Sequence, residues 1–598
     1  MRVGVDTGGT FTDVVTDAGA VVKVPSTPAD PAAALRAGIA GLPARPDRLA
    51  HGTTVATNAL LERRGGRVAL VTTRGFADVI EIARQARPSL YDPFADRPEP
   101  LVPRPLRFEV GGRLDATGRE LEPPALADLA AIPDDVDAVA VCLLHADLDG
   151  GHERAVAAAL AARGIDVTCS HEVSPEFREY ERTVTTVVNA YLRPRCRTYL
   201  RSIAEVAAEV SVMTSAGGLV PAVEVAAEQP VTLLVSGPAG GVRAAAAIAS
   251  ACGFADAVSF DMGGTSTDVC LIRGGLPEPS PLHVVAGLPV RVPGLDVHTI
   301  GAGGGSIARI DAGGALVVGP ESAGAVPGPA CYGHGGERPT VTDADLVLGR
   351  IPADAPFAGL GRLERAAAEA ALARTGVPAA GVVQVVDAGM ERAVRAVTVA
   401  RGVDPRGLAL VAFGGAGPLH ACAVASALGM PAVIVPPRAG VFSAVGLLAA
   451  PVQRDLVRSW PTPRDHAALP AARAALEREV AALVPEGVGA AVVESSLDVR
   501  YAGQSHELTV AELADFPDEH VRRNGYARAG VPIEVTALRA RARVDSPLVP
   551  TDLPALDRAA CRGPAVVAEA DCTVWIPDGW EARPAAGGAW VLRPERGA

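Results

Sequence analysis

The chain has 598 residues, 49% of them hydrophobic and only 4% aromatic, with a formal net charge of -13 at pH 7. That length and composition predict two to four globular domains with aliphatic cores and argue against disorder. The acidic balance argues against a nucleic-acid or anionic-membrane surface, and the longest apolar stretch, 439–452, is too short and too broken by Gly and Pro to span a bilayer.

Nine cysteines, an odd number without CxxC pairs, read as free thiols in a reducing compartment. The N-terminus shows no basic segment leading into an apolar one, so a cytoplasmic protein is expected. Lys23 is the sole lysine. A Walker A loop needs a lysine at its Gly-rich turn, and pyridoxal phosphate needs a Schiff-base lysine, so both chemistries are disfavoured. Any phosphate handling then falls to backbone N–H groups, threonines and aspartate-bound metal.

The first apolar run, 3–5, leads through Asp6-Thr7-Gly8-Gly9-Thr10-Phe11-Thr12-Asp13 into a second at 14–15. This reads as strand, Gly-Gly turn, strand, with an acid at each end of the loop. A helix is predicted around 31–42. His51, Thr53, Thr54 and Asn58 follow a buried strand, where a capped helix start and a substrate or phosphate contact are both open readings. Strands at 68–72 and 138–143 and a helix at 151–163 continue an α/β alternation around a Pro- and Arg-rich surface loop at 84–105. The charge run 176–182 reads as a solvated helix face, leading into an apolar-periodic helix through 192.

From about 213 the α/β pattern restarts, and the hairpin motif returns as Asp261-Met262-Gly263-Gly264-Thr265-Ser266-Thr267-Asp268. Asp296 and His298 alternate on one strand face, and Asp343 with Asp345 repeats that spacing. Together they could supply a divalent site for Zn²⁺ or Mn²⁺; singly each reads as a structural polar residue. Helices near 363–375 and 387–401 precede a strand at 408–413. That strand ends in Gly414-Gly415-Ala416-Gly417 and opens a helix holding His420. From about 490, short strands and turns predict a smaller β-rich domain. The expected division is 1–195, 196–480 and 481–598.

Paired glycines let backbone N–H groups approach a phosphate closely, and flanking carboxylates hold Mg²⁺ or its waters. Gly8-Gly9 and Gly263-Gly264 are therefore assigned to the phosphates of a nucleotide. Thr7, Thr10, Thr12, Thr265 and Thr267 stand beside them, Asp6 and Asp261 face Mg²⁺, and Asp13 and Asp268 order its waters or the turns.

The hairpins and the strand–GGAG–helix resemble the actin/hexokinase/Hsp70-type ATPase fold. That resemblance implies two ATPase domains related by duplication, with Gly414, Gly415 and Gly417 packing on adenosine. More closely, MRVGVDTGGTFTDVV at 1–15, HGTTVATNALLERRG at 51–65, FREYERTVTTVVNAYLRP at 177–194 and SFDMGGTSTDVCLI at 259–272 resemble the hydantoinase A/oxoprolinase family. So do GAGGGSIA at 301–308 (with Gly303 and Gly304), PGPACYG at 327–333, PTVTDADLVLGRI at 339–351, FGGAGPLHACAVA at 413–425 and RYAGQSHEL at 500–508. The resemblance implies ATP-dependent opening of a small cyclic amide such as a hydantoin or 5-oxoproline. It also implies a hetero-oligomer with a B-type subunit, for which no region follows Ala598. The C-terminal part is shorter than is usual in the family. A ketone carboxylase subunit and a non-catalytic ATP-binding module are the alternatives.

Overall fold

A computed structural model describes residues 1–27, 30–354 and 361–595. Each Asp–Gly–Gly motif is a hairpin turn. Strands Arg2–Thr7 and Phe11–Thr16 pair with Asp6 opposite Asp13 and Thr7 opposite Thr12. Strands Ala257–Met262 and Thr267–Arg273 set Asp261 opposite Asp268. Val3, Val5, Val14 and Val15 are buried in the first, and Val258, Phe260, Val269 and Leu271 in the second. Apolar strand flanks thus go to the cores while the polar turn residues emerge at the strand ends.

Both hairpins sit in the same sheet plan. Each second strand takes an antiparallel neighbour, Val21–Pro25 in one case and Val297–Ile300 in the other. Each first strand pairs in parallel with a later strand, Arg48–Thr53 or Ala409–Phe413, and that strand with another, Glu209–Met213 or Ala432–Val435. Parallel neighbours require crossovers, which the α/β alternation supplies. Helices Gly237–Ala251 and Phe442–Leu448 pack against each other between these sheets. They approach so closely that a Cβ on Gly446 would lie 1.9 Å from the Gly240 carbonyl oxygen, so only glycine fits.

The C-terminal segment does not stand apart as a β-rich domain. Strands Val452–Ser459, Ile533–Val544, Val492–Tyr501 and Leu508–Val510 extend the first hairpin's sheet to ten strands. Trp590–Pro594 and Trp580–Pro584 join the second hairpin's sheet through Ala432–Val435. Helix Glu179–Ile203 runs through the expected boundary at 195. A separate four-stranded parallel sheet, built from strands between Val68 and Cys169, is inserted in the N-terminal part.

The charge run at 176–182 is not a solvated face. Glu176 is 2% exposed and accepts hydrogen bonds from Arg291 at 2.5 Å and Arg539 at 2.9 Å. Arg182 is buried against Asp147 at 2.5 Å. These charges are buried because partners arrive from three distant segments. The spacing of Asp343 and Asp345 also misleads: they lie in helix Val341–Val347, not on a strand.

Candidate active site

The two hairpin turns meet at the wall of a cavity of about 490 Å³ that both line. A Cβ on Gly264 would fall 2.8 Å from Thr10 Oγ1, and one on Gly9 would fall 3.7 Å from Thr265 Oγ1. Within each turn a single bond closes the loop, Gly8 N–H to Phe11 O at 3.0 Å and Gly263 N–H to Ser266 O at 3.0 Å. Among the described residues no acceptor takes the N–H groups of Gly9, Thr10, Gly264 or Thr265. All four residues line the cavity, so its wall carries four backbone donors without an acceptor. Thr7 Oγ1, on the wall, is buried without a partner.

All four hairpin aspartates line the cavity. Burial, with Asp13, Asp261 and Asp268 nearby, pushes the Asp6 carboxyl well above its ordinary range, and no hydrogen bond counters it. Burial lifts Asp261 to about 7, aided by Asp268 and opposed by the hydrogen bond from Ser443 Oγ at 3.0 Å. Burial lifts Asp268 to about 6 against a 2.5 Å hydrogen bond from Thr299. Asp13 is raised by burial and opposed by Lys23, whose Nζ lies 2.7 Å away. Neighbouring buried carboxylates resist ionising together, and a divalent cation such as Mg²⁺ beside Asp6 and Asp261 would relieve that repulsion, although no three of the four bring ligand atoms within 4.8 Å of one another.

Lys23 is the residue that sequence reasoning set aside. It is on no Gly-rich loop, yet its strand pairs Lys23 directly with Asp13 and places it on the cavity wall. The antiparallel continuation of the first hairpin was the available signal. Asp571, Ser443 and Gly440 were also missed. Asp571 accepts the Gly440 N–H at 2.7 Å, bringing the C-terminal segment to the cavity.

The remaining expected residues divide. Gly414 and Gly415 line the cavity, whereas Gly417 lies behind it, its position backed by the strand carrying Asp261. Gly304 lines it, and the Gly304 N–H bonds Gly263 O at 2.9 Å, so this turn braces the second hairpin; Gly303 packs on Gly264 without reaching the cavity. Thr10 and Thr265 face the cavity. Thr12 is buried beside Ser26, and Thr267 donates to Ala302 O at 2.6 Å, so both hold turns in place. Thr54 and Asn58 line the wall with Thr57 and Leu61. Thr53 is buried, accepting the Val55 N–H at 3.2 Å. His51 is buried between Val5 O at 3.1 Å and Tyr199 Oη at 2.7 Å, and burial lowers it to about 4, so it is a structural histidine.

The expected second metal site is not assembled. Asp296 pairs with Arg401. Asp343 accepts N–H groups from Ala330, Cys331 and Thr340 and the Thr340 hydroxyl, at 2.8–3.2 Å, as the partner of the N-cap Thr340 in its helix's capping box. Among the described residues, triads of potential ligands occur at Glu153/Cys169/His171 and Glu569/Asp571/Cys572, neither including these residues. Glu153 is saturated by donors from Leu143, Ser170 and His171, and Glu569 by Arg558.

Fold and site define an α/β protein in which two hairpins of one plan close on a shared acidic cavity. Residues 2–164 match the Hydantoinase/oxoprolinase N-terminal region and residues 182–456 match the Hydantoinase/oxoprolinase family. The chain belongs to the hydantoinase/oxoprolinase family. It is 34% identical to the caprolactamase subunit alpha of Pseudomonas jessenii over 97% of both chains. The solved structure of ATP-dependent caprolactamase from that organism superposes with a TM-score of 0.87 at 32% identity, covering 99% of this chain and 100% of that one. An acetone carboxylase structure follows at a TM-score of 0.77 and 25% identity, covering 99% of each chain. The chain is also 32% identical to 5-oxoprolinase 1 of Arabidopsis thaliana over 77% of its own length, which is 41% of that protein. No described helix is long and apolar enough to cross a membrane, and all nine cysteines are free.

Proposed function

We propose that this chain is the ATP-binding subunit of an ATP-dependent enzyme that opens a small cyclic amide. The observation that carries the reading is the apposition of the two turns, with four unengaged N–H groups and four aspartates around one cavity. The likeness to caprolactamase over both full chains supports it.

Amide resonance makes the carbonyl carbon a poor electrophile. Transfer of the ATP γ-phosphoryl group to the amide oxygen forms a C–O–P linkage, breaks the terminal anhydride and releases ADP. Water then adds at the activated carbon, the C–N bond breaks as nitrogen takes up a proton, and phosphate leaves on hydrolysis. This chain's part is positioning and charge. The N–H groups of Gly9, Thr10, Gly264 and Thr265 hold the phosphate oxygens. Asp6 and Asp261 would hold Mg²⁺, which supplies neutralisation of the phosphates when bound. Asp13 orients Lys23, and Asp268 is fixed by Thr299. Gly304, Tyr332, Gly414, Gly415 and Leu419 form the wall available to adenosine. A second polypeptide is part of this reading, because the relative named above is itself an alpha subunit.

The test is substrate-dependent ADP formation. Asp261→Asn should abolish it, at least about 100-fold, without unfolding the chain; full activity in that variant would sink the assignment. The second reading is a ketone carboxylase subunit, favoured by the acetone carboxylase structure and by 33% identity to the acetophenone carboxylase gamma subunit of Aromatoleum aromaticum over 74% of this chain. ADP formation that requires bicarbonate and a ketone would select it.

A further inference from the structure

We infer that the acceptor taken by this cavity is an electrically neutral cyclic amide, seated on the helix Val55–Leu61, and that lactams bearing a carboxylate are rejected. The inference rests on the function proposed above and narrows its substrate class.

The location follows from contacts at the start of that helix. Thr54 Oγ1 points to the Thr7 carbonyl oxygen at 3.5 Å, so this wall begins at the first phosphate turn, and a molecule on it lies beside the transferred group. Thr57, Asn58 and Leu61 continue the wall, with Val235 and Pro238 on the same cavity. The Val235 N–H is taken by Thr57 Oγ1 at 3.1 Å, tying the two sides together. Asn58 Nδ2 donates to Thr54 Oγ1 at 3.3 Å, which leaves the Asn58 carbonyl oxygen to receive an amide N–H. Leu61 remains 56% exposed, an apolar side chain open for the methylenes of a ring.

The exclusion follows from charge. Among the described lining residues there are six aspartates, of which Asp345 is paired with His420 and Arg350 behind the wall, one cation, Lys23, and no arginine. Lys23 is held by Asp13 at 2.7 Å and also points to Gly440 O at 3.3 Å, so the one ammonium is engaged at the hairpin. A carboxylate leaving water needs a cation or several N–H donors, and this wall offers two hydroxyls and one side-chain amide. The triphosphate adds negative charge to the same cavity. A neutral lactam needs only one donor, one acceptor and an apolar rest, which this wall supplies.

The test uses a matched pair: 2-pyrrolidone and 5-oxoproline, the same ring with and without a carboxylate. 5-Oxoprolinamide serves as the neutral analogue of similar size, with δ-valerolactam and ε-caprolactam as larger rings. ADP formation is measured with the chain alone and with its second polypeptide. The expected kcat/KM for 2-pyrrolidone and 5-oxoprolinamide exceeds that for 5-oxoproline by at least about 100-fold. Leu61→Arg, which adds a cation at an exposed position, should narrow that ratio about tenfold or more by favouring 5-oxoproline. Equal or preferred turnover of 5-oxoproline overturns the inference and leaves the proposed function standing. If no lactam, neutral or charged, stimulates ADP formation, the proposed function fails and the inference falls with it.

Discussion

His420 is fully buried, with Nδ1 2.7 Å from Asp387 and Nε2 3.2 Å from Asp345, while Arg350 approaches Asp345 at 3.7 Å. Burial alone would lower its pKa; the two carboxylates outweigh burial and raise it from 6.5 to about 10. The folded state therefore holds this proton more tightly than the unfolded chain. The resulting stability is complete below about pH 6.5 and is lost as pH rises through about 10. A rise from 6.5 to about 10 corresponds to an upper bound of about 5 kcal/mol. For a chain of this length that is a melting shift of about 4 °C. The perturbation is the paired substitution Asp345→Asn with His420→Gln, which removes both charges at nearly constant volume. Thermal melting of both proteins is followed at pH 6, 8 and 10, so alkaline destabilisation common to the two cancels. The wild-type advantage should shrink by up to about 4 °C between pH 6 and 10. An advantage that stays constant across that range would refute the reasoning.

Lys23→Met should lower ADP formation at least about 100-fold with little change in melting temperature. Because Lys23 is the sole lysine, amine-directed labelling followed by mass spectrometry reads one side chain, and ATP should protect it. Gly446→Val drives a side chain into the Gly240 carbonyl and should cost about 3 kcal/mol or more, seen as lost soluble expression or a lower melting temperature. Asp343→Ala strips a helix cap and loop anchor, so the melting temperature should fall while the bound-metal content, measured by mass spectrometry, stays unchanged.

Much of this architecture was legible because it is written locally. The two hairpins, their facing aspartates and the α/β alternation depend on turn chemistry and strand patterning, both carried by neighbouring residues. Thr10, Thr265 and Gly414 reach the cavity wall through the same local turns. The failures share a cause. Glu176 and Arg182 looked solvated because their partners lie on distant strands and loops. Asp343 and Asp345 looked like alternating strand residues because a seven-residue helix gives too short a period to recognise. Lys23 was discounted because it belongs to no glycine loop, although pairing across the sheet is what delivers it. His51 combined the right residue type and neighbourhood with a burial that only packing reveals.

By itself, the sequence determined the Gly-Gly hairpin turns, their duplication as motifs and the family, since short-range backbone geometry and ordered motifs need no partner. Tertiary structure alone decided that the turns meet beside one cavity and that Lys23 and Asp571 line it. It also decided that the last 150 or so residues complete both sheets. The physical reason is that sheet edges and buried charges are satisfied by whichever distant segment supplies the missing hydrogen bond or counter-charge, and that choice is made by the packed whole.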